Sequence, residues 1–431
     1  MYPDFYYLFR ELFGIEIPFL GLFKTFGFLV ALAFLAAAYF LMRELKRKEE
    51  DGLIPYTIEN EKINKKNTLQ DILISVAIAA IAGYKIIGLL LSSETASADP
   101  LNYIFSKEGS LFGGIGIALA TLLFKFYENN LLKNKEEKTI QVKKFPHQRV
   151  SDIVFIAAIG GFAGAKIFNT FEDWDTFLKD PFGSLFSSSG LTFYGGLIVA
   201  ATALYLYSRK INLSFKHLCD AVAPGLLLAY GIGRLGCQIA GDGDWGIYNS
   251  AYKLDVNRKV VEAKVGEFDT IVKQHPEIYA AQLQEFGEVM HHPFKSSFLP
   301  TWFIAYTYPN NVSREGAQIP GCEGVYCREM LTPVYPTPIY EFLACVFIFL
   351  FLWSQRKKWK TPLTMFGVYL MFNGLERYLI EKIRVNSKYN FEFINLKITQ
   401  AEIISFCLFF AGLLILFLIR NKKTNPTAIE N

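Results

Sequence analysis

The chain has 431 residues, 52% of them hydrophobic and 16% aromatic, with a mean hydropathy of +0.24 and a formal net charge of +4. That balance excludes an ordinary soluble domain, which carries more charge and fewer unbroken apolar runs. The small net charge also argues against a nucleic-acid binder, and six cysteines in a chain this long do not make a disulfide scaffold.

Apolar segments of about 20 residues, long enough to cross a hydrocarbon core of roughly 30 Å, lie near 19–42, 70–92, 111–128, 152–170, 190–208, 217–240, 337–354, 363–382 and 399–419. They predict an all-α polytopic membrane protein of about nine transmembrane helices, seven plus a duplicated hairpin. Seven spans with a re-entrant pair would satisfy the same parity. Basic residues gather in alternate loops: Arg43 to Lys66, Lys133 to Arg149, Arg209 to Lys216, Arg356 to Lys360, and Arg420 to Lys423. The positive-inside rule then places the amino terminus outside and the carboxyl terminus in the cytoplasm.

The first apolar stretch reads as a retained anchor, because its basic cluster follows it and it is too long for a cleaved signal. The chain divides into membrane helices over 1–240, an extracytoplasmic segment over 241–336, further membrane helices over 337–420, and a cytoplasmic tail over 421–431. Only Cys322 and Cys327 lie away from the spans. An oxidising compartment permits a disulfide there, and two unpaired thiols are an equal alternative.

Two segments resemble each other at an offset of 81 residues. Asp71 to Lys85 reads DILISVAIAAIAGYK, and Asp152 to Lys166 reads DIVFIAAIGGFAGAK. Each runs on through Asp-Pro (Asp99-Pro100, Asp180-Pro181) to a Gly-Gly pair that enters the next span, Gly113-Gly114 and Gly195-Gly196. The segments 71–128 and 152–208 therefore read as a duplicated helical hairpin. The second copy has Tyr194 where the first has Phe112, which makes it the better candidate for chemistry.

Charge at membrane depth is costly and normally faces a protein interior or a wet cavity. Lys166, Asp220, Arg234, Glu341, Glu376, Arg377, Glu381 and Arg384 are so placed. If Asp220 marks the cytoplasmic end of its span, Arg234 lies about 21 Å further along, near the outer exit. Arg377 and Tyr194 approach the same side, so three polar groups from three spans are expected to converge. Two arginines there suit an anionic headgroup, because guanidinium pairs bidentately with phosphate and keeps its charge. Arg377 has Glu381 one turn away as an alternative partner. Arg234 has no acid one turn away, which favours a ligand role.

The run Gly231 to Gly236 matches a dinucleotide fingerprint in form only, since no strand precedes it and it sits in an apolar span. Its glycines read instead as allowing close approach of helices or lipid. The turn Gly241-Asp242-Gly243-Asp244-Trp245-Gly246 has the makings of a cation loop, but a flexible polar loop is the plainer reading.

At these residues the sequence resembles the prolipoprotein diacylglyceryl transferase family. Gly233-Arg234-Leu235-Gly236-Cys237-Gln238-Ile239-Ala240-Gly241, with the turn ending at Gly246, is similar to the family's Gly-Arg-x-Gly-Asn-Phe-x-Asn-Gly-Glu-x-x-Gly. Supporting landmarks are Asp220, Pro224, Gly164-Ala165-Lys166, Gly195-Gly196, Leu299-Pro300-Thr301-Trp302, Pro336 to Glu341, and Arg377 through Glu381 to Arg384. Several positions depart from the pattern. Tyr194 stands for a His, Cys237 for the signature Asn, Asp242 or Asp244 for the signature Glu, Asn373 for a Tyr, and Phe26-Gly27 for a Tyr-Gly.

The resemblance implies transfer of a diacylglyceryl group from phosphatidylglycerol to the lipobox cysteine thiol of a prolipoprotein signal peptide, at the outer face of the bacterial cytoplasmic (inner) membrane. It implies Arg234, Arg377 and Arg384, with Gly195, Gly196, Gly236 and Gly246, as the phosphatidylglycerol site. Tyr194 would position the thiol, and Asp242 or Asp244 would take its proton. Tyr340, Glu341, Glu381 and Asp220 would support the site from behind. No metal or organic cofactor is implied, and Cys237 reads as a packing residue rather than a covalent nucleophile. The competing expectations are a catalytically inactive lipid-binding paralogue and a phospholipid or anion transporter.

Overall fold

The computed structural model describes all residues except 92–102, 105, 134, 182–183, 185–191, 392–395 and 425–431. The Asp99-Pro100 landmark lies outside the described residues. Among those described, seven helices are long and apolar enough to cross a membrane. They are α2 (Thr25–Glu50), α3 (Leu69–Leu91), α4 (Leu111–Leu131), α5 (Val150–Glu172), α7 (Phe215–Ala240), α8 (Thr337–Gln355) and α10 (Gln400–Thr424). Helices α6 (Phe193–Lys210) and α9 (Thr364–Glu381) occupy two further predicted positions and have 18 residues each. A short α1 (Phe5–Phe13) precedes them, capped by Asp4, whose carboxylate accepts from the Tyr7 N–H at 3.2 Å. The chain is a multi-pass, mostly helical membrane protein.

The helices divide between two compact units. One comprises Glu16–Leu22 and Met42–Phe215. Within it α3 packs on α4 and α5 on α6, while β1 (Thr57–Ile63) and β2 (Lys138–Lys144) form an antiparallel ribbon running from Thr57 opposite Lys144 to Ile63 opposite Lys138. The two hairpins close by corresponding contacts. Gly83 faces the Gly113 carbonyl, and Gly164 faces that of Gly195; a Cβ at either glycine would collide with it. Ser110 N–H donates to Tyr84 O at 2.8 Å, and Thr192 N–H donates to Ala165 O at 3.2 Å. Lys85 Nζ donates to the carbonyls of Tyr103, Ser106 and Glu108, and Lys166 Nζ donates to that of Ser184. Both lysines are thus satisfied by backbone carbonyls, as a cation among apolar helices must be.

The other unit comprises Met1–Ile15, Phe23–Leu41 and Lys216–Asn431. Here α9 and α10 approach through glycines: Gly374 meets Ser405 O and Phe409 N, and Gly412 meets Gly367 O. Asp220, near the start of α7, accepts from the N–H groups of Leu363 and Phe366 at 2.7 and 2.9 Å. It therefore caps α9 at the end opposite to Arg377. This corrects the expectation that Asp220 stands behind the arginines.

The segment 241–336 is built from short pieces around an aromatic core. Strands β3 (Tyr252–Leu254) and β4 (Val260–Glu262) pair, as do β5 (Ala317–Gln318) and β6 (Arg328–Glu329). Trp245, Tyr248, Phe268, Tyr279, Tyr308 and Met330 are buried together. Two fully buried asparagines tie its loops. Asn249 donates to Phe294 O and Ile304 O, and Asn311 donates to the carbonyls of Tyr308, Glu315 and Arg328. Cys322 and Cys327 form a disulfide. After α9, β7 (Lys388–Phe391) and β8 (Leu396–Thr399) make a last antiparallel ribbon.

Candidate active site

Three helices, the turn after the first of them and Arg384 just beyond the last deliver a chain of alternating charges. Arg234 comes from α7, Glu341 from the first turns of α8, and Arg377 with Glu381 from the end of α9. Asp244 comes from the turn after α7. The order of contact is Arg384, Asp244, Arg234, Glu341, Arg377, Glu381. Asp244 pairs with both Arg384 and Arg234. Glu341, fully buried, lies 3.2 Å from Arg234 Nε and 3.3 Å from Arg377 Nη1. Arg377 Nη2 is 3.1 Å from Glu381, which also accepts from Asn386 at 2.8 Å. Tyr230, one turn before Arg234, donates to Glu341 at 3.0 Å and places its ring 5.2 Å from the Arg234 guanidinium.

Arg234 is therefore not without an acid. Its partners come from ten residues ahead, around a turn, and from a different helix, so helical spacing could not reveal them. The i, i+4 pair of Arg377 and Glu381 is present as its spacing suggests. Sequence reasoning missed Tyr230 and Asn386; the aromatic one turn before Arg234 was the available signal for the first.

The turn itself is clamped, contrary to the loose polar loop expected of it. Gly241 ends α7 with φ +69° and its N–H on Cys237 O at 2.9 Å, and Gly243 follows at φ +92°. Thr337 donates to Asp244 O at 2.8 Å, Gly246 N–H donates to Tyr335 O at 2.8 Å, and Ile247 N–H donates to Ile383 O at 2.9 Å. Gly246 bridges Arg384, and any Cβ there would press on Ile383 O. Tyr308 donates to Gln238 at 2.5 Å and its ring lies 4.8 Å from that of Trp245, which ties the segment 241–336 to the end of α7. Tyr340 in turn donates to Phe303 O.

The remaining glycines of the predicted lipid site serve helix packing. Gly236 meets Phe26 and Leu29 of α2, while Gly195 and Gly196 meet Phe168 and the carbonyls of Gly164 and Gly161. Tyr194, half-buried in the first turn of α6, belongs to the other compact unit.

The two aspartates are pushed in opposite directions. Burial opposes ionisation of Asp244, but Arg234 and Arg384 outweigh it and hold the carboxyl below the usual range. Burial pushes the Asp242 carboxyl up. Cys237, Asp242 and Asp244 bring ligand atoms within 4.8 Å of one another, the one such group among the described residues. With Asp244 already shared by two guanidiniums, little of that set remains for an ion.

A sequence profile of the prolipoprotein diacylglyceryl transferase family matches residues 111–418. Several relatives carry the name phosphatidylglycerol–prolipoprotein diacylglyceryl transferase. One from Chlorobaculum tepidum is 27% identical over 325 residues, covering 72% of this chain and 85% of its own. One from Leptospira interrogans is 31% identical over 132 residues, covering 25% of this chain and 42% of its own. One from Dehalococcoides mccartyi is 37% identical over 94 residues, covering 21% and 36%. The chain thus spans less than half the length of the Leptospira and Dehalococcoides relatives, and most of the Chlorobaculum one. With a profile that runs from the second helix of the first hairpin through the second hairpin and the arginine chain into the last helix, this chain belongs to the prolipoprotein diacylglyceryl transferase family.

Proposed function

We propose that this protein transfers the diacylglyceryl group of phosphatidylglycerol to the lipobox cysteine thiol of prolipoproteins, at the outer face of the bacterial cytoplasmic membrane. The observation that carries the reading is the arginine chain at one end of the membrane helices, in a member of a family whose relatives are named for this reaction.

The chemistry asks for positive charge where the phosphate leaves. As sulfur attacks the glyceryl carbon, the carbon–oxygen bond breaks and charge accumulates on the departing glycerol phosphate. Arg234, Arg377 and Arg384 supply that charge, and their carboxylate partners fix the guanidiniums before substrate arrives. Such preorganisation stabilises the developing anion without reorganisation at the moment of reaction. Arg384 Nη1 is buried with no hydrogen-bond partner among the described residues, so this donor is available to a phosphate oxygen. Asp244 serves as the brace between two of the arginines, and this occupation removes it as the proton acceptor.

The test is transfer of labelled diacylglyceryl from phosphatidylglycerol to a lipobox peptide by the purified protein. Wild type should label the peptide cysteine. Arg234→Ala should lose at least about 100-fold in rate, the scale for removing one anion-stabilising donor. A folded Arg234→Ala protein with normal turnover would sink the phosphate assignment. Phosphatidylglycerol binding with no transfer by wild type would favour the inactive lipid-binding paralogue.

A further inference from the structure

The scheme leaves the thiol proton without an acceptor among the paired carboxylates. Asp244 is held by two guanidiniums. Glu341 accepts from Tyr230 and Arg377, and Glu381 accepts from Asn386 beside Arg377. Asp242 engages Cys237 and accepts weakly from the Asp244 N–H at 3.4 Å.

Glu376 is different. It is 5% exposed, and neither carboxylate oxygen has a hydrogen-bond partner among the described residues. It immediately precedes Arg377 on α9 and lies within the electrostatic reach of Glu341, Arg377, Arg234 and Arg384. A buried carboxyl without donors is costly to keep, and such groups call for an explanation. Its side chain also forms part of the wall of a groove of about 280 Å³ between α8 and α9. Tyr340, Ala344 and Ile348 form one side, with Phe372, Leu375 and Leu379 on the other. Leu375 and Leu379 are 44% and 58% exposed, so the groove opens on the face of these helices that meets lipid. Glu376 is the only carboxyl among its lining residues.

We propose that Glu376 accepts the proton of the incoming substrate thiol during diacylglyceryl transfer, from a place on the same helical turn as the phosphate-anchoring Arg377. The inference rests on the reaction proposed above. The S–H proton passes to a Glu376 oxygen, and the sulfur electron pair forms the bond to the glyceryl carbon. The carbon–oxygen bond breaks with its pair going to the phosphate oxygen, and glycerol phosphate departs. Glu376 then returns its proton to the departing phosphate or to water and is reset. A cysteine thiol is mostly protonated at neutral pH, so such an acceptor shortens the climb to the thiolate.

The experiment measures transfer by the full chain in phosphatidylglycerol vesicles, comparing wild type, Glu376→Gln and Glu376→Asp. Two peptides are offered, one with the lipobox cysteine and one with selenocysteine at that position, whose selenol is already ionised at neutral pH. Loss of the acceptor should cost Glu376→Gln about 100-fold or more with the cysteine peptide. Its remaining rate with the cysteine peptide should follow the ionisation of the free thiol, and the selenocysteine peptide should restore most of the rate. Glu376→Asp should retain part of the activity. Equal losses with both peptides would assign Glu376 a packing role and overturn the inference, as would a wild-type rate and pH profile in Glu376→Gln. Should Glu376→Gln fail to fold, wild type decides alone: an acid limb with cysteine that is absent with selenocysteine supports the acceptor, and the same limb with both peptides overturns it. Wild type transferring to neither peptide would instead defeat the reaction reading itself.

Discussion

Asp244 stands between two guanidiniums, and removing its charge leaves both without their shared partner. Breaking a buried pair from one side costs about 3–5 kcal/mol, and the 30% exposure of the Asp244 side chain argues for the lower end. Asp244→Asn should therefore lower the melting temperature in detergent at pH 7. Because Arg234 and Arg384 hold Asp244 below its ordinary value, its stabilisation is present above the unfolded-state value of about 4 and is lost as pH falls through the folded value. The gap between Asp244→Asn and wild type should close below about pH 4. Asp242, raised by burial, has the opposite sign: its protonated form favours the fold, and that gain is lost as pH rises through its folded value. Asp242→Asn should match or exceed wild type in thermal unfolding at pH 7; a loss as large as that of Asp244→Asn would contradict the assignment. The arginines were legible as intramembrane charges. Their partners were not, because Glu341 reaches Arg234 from another helix and Asp244 only through the geometry of a turn set by Gly241 and Gly243.

The long helices were the most legible elements, since runs of apolar residues punctuated by basic loops carry their own signal. The segment 241–336 was opaque because its order comes from an aromatic cluster and two buried asparagines rather than from any periodic pattern. Asn311→Ala would leave three carbonyls without their donor. It should cost about 3 kcal/mol, read as a fall in the midpoint of thermal or denaturant unfolding; an unchanged midpoint would mean the loop stands without it. The Gly-Gly entries of the hairpins were visible as landmarks, but the chain gave no sign that they seat against carbonyls of the preceding helix. Gly164→Leu and Gly374→Leu should each overpack a helix contact and destabilise by about 1–3 kcal/mol or more, whereas Gly161→Leu, with open space at its Cβ position, should cost far less.

For the molecule as a whole, the corresponding contacts of the two hairpins support the reading of a duplicated unit, which we propose arose by repetition of one helical pair. The proposed orientation puts 241–336 outside and the β1–β2 ribbon in the cytoplasm. The Cys322–Cys327 disulfide accords with an oxidising side for the former. Single cysteines introduced at exposed Val265 and at Lys138 should separate under a membrane-impermeant thiol reagent: the first labelled in intact cells, the second only after permeabilisation. The reverse pattern would invert the topology.

Intact-mass analysis of a lipobox peptide, incubated with the purified protein in phosphatidylglycerol vesicles, tests the central claim most directly. The account predicts a diacylglyceryl adduct on the cysteine, with glycerol phosphate released in equal amount. An unmodified peptide in the presence of a folded protein that binds phosphatidylglycerol would contradict it.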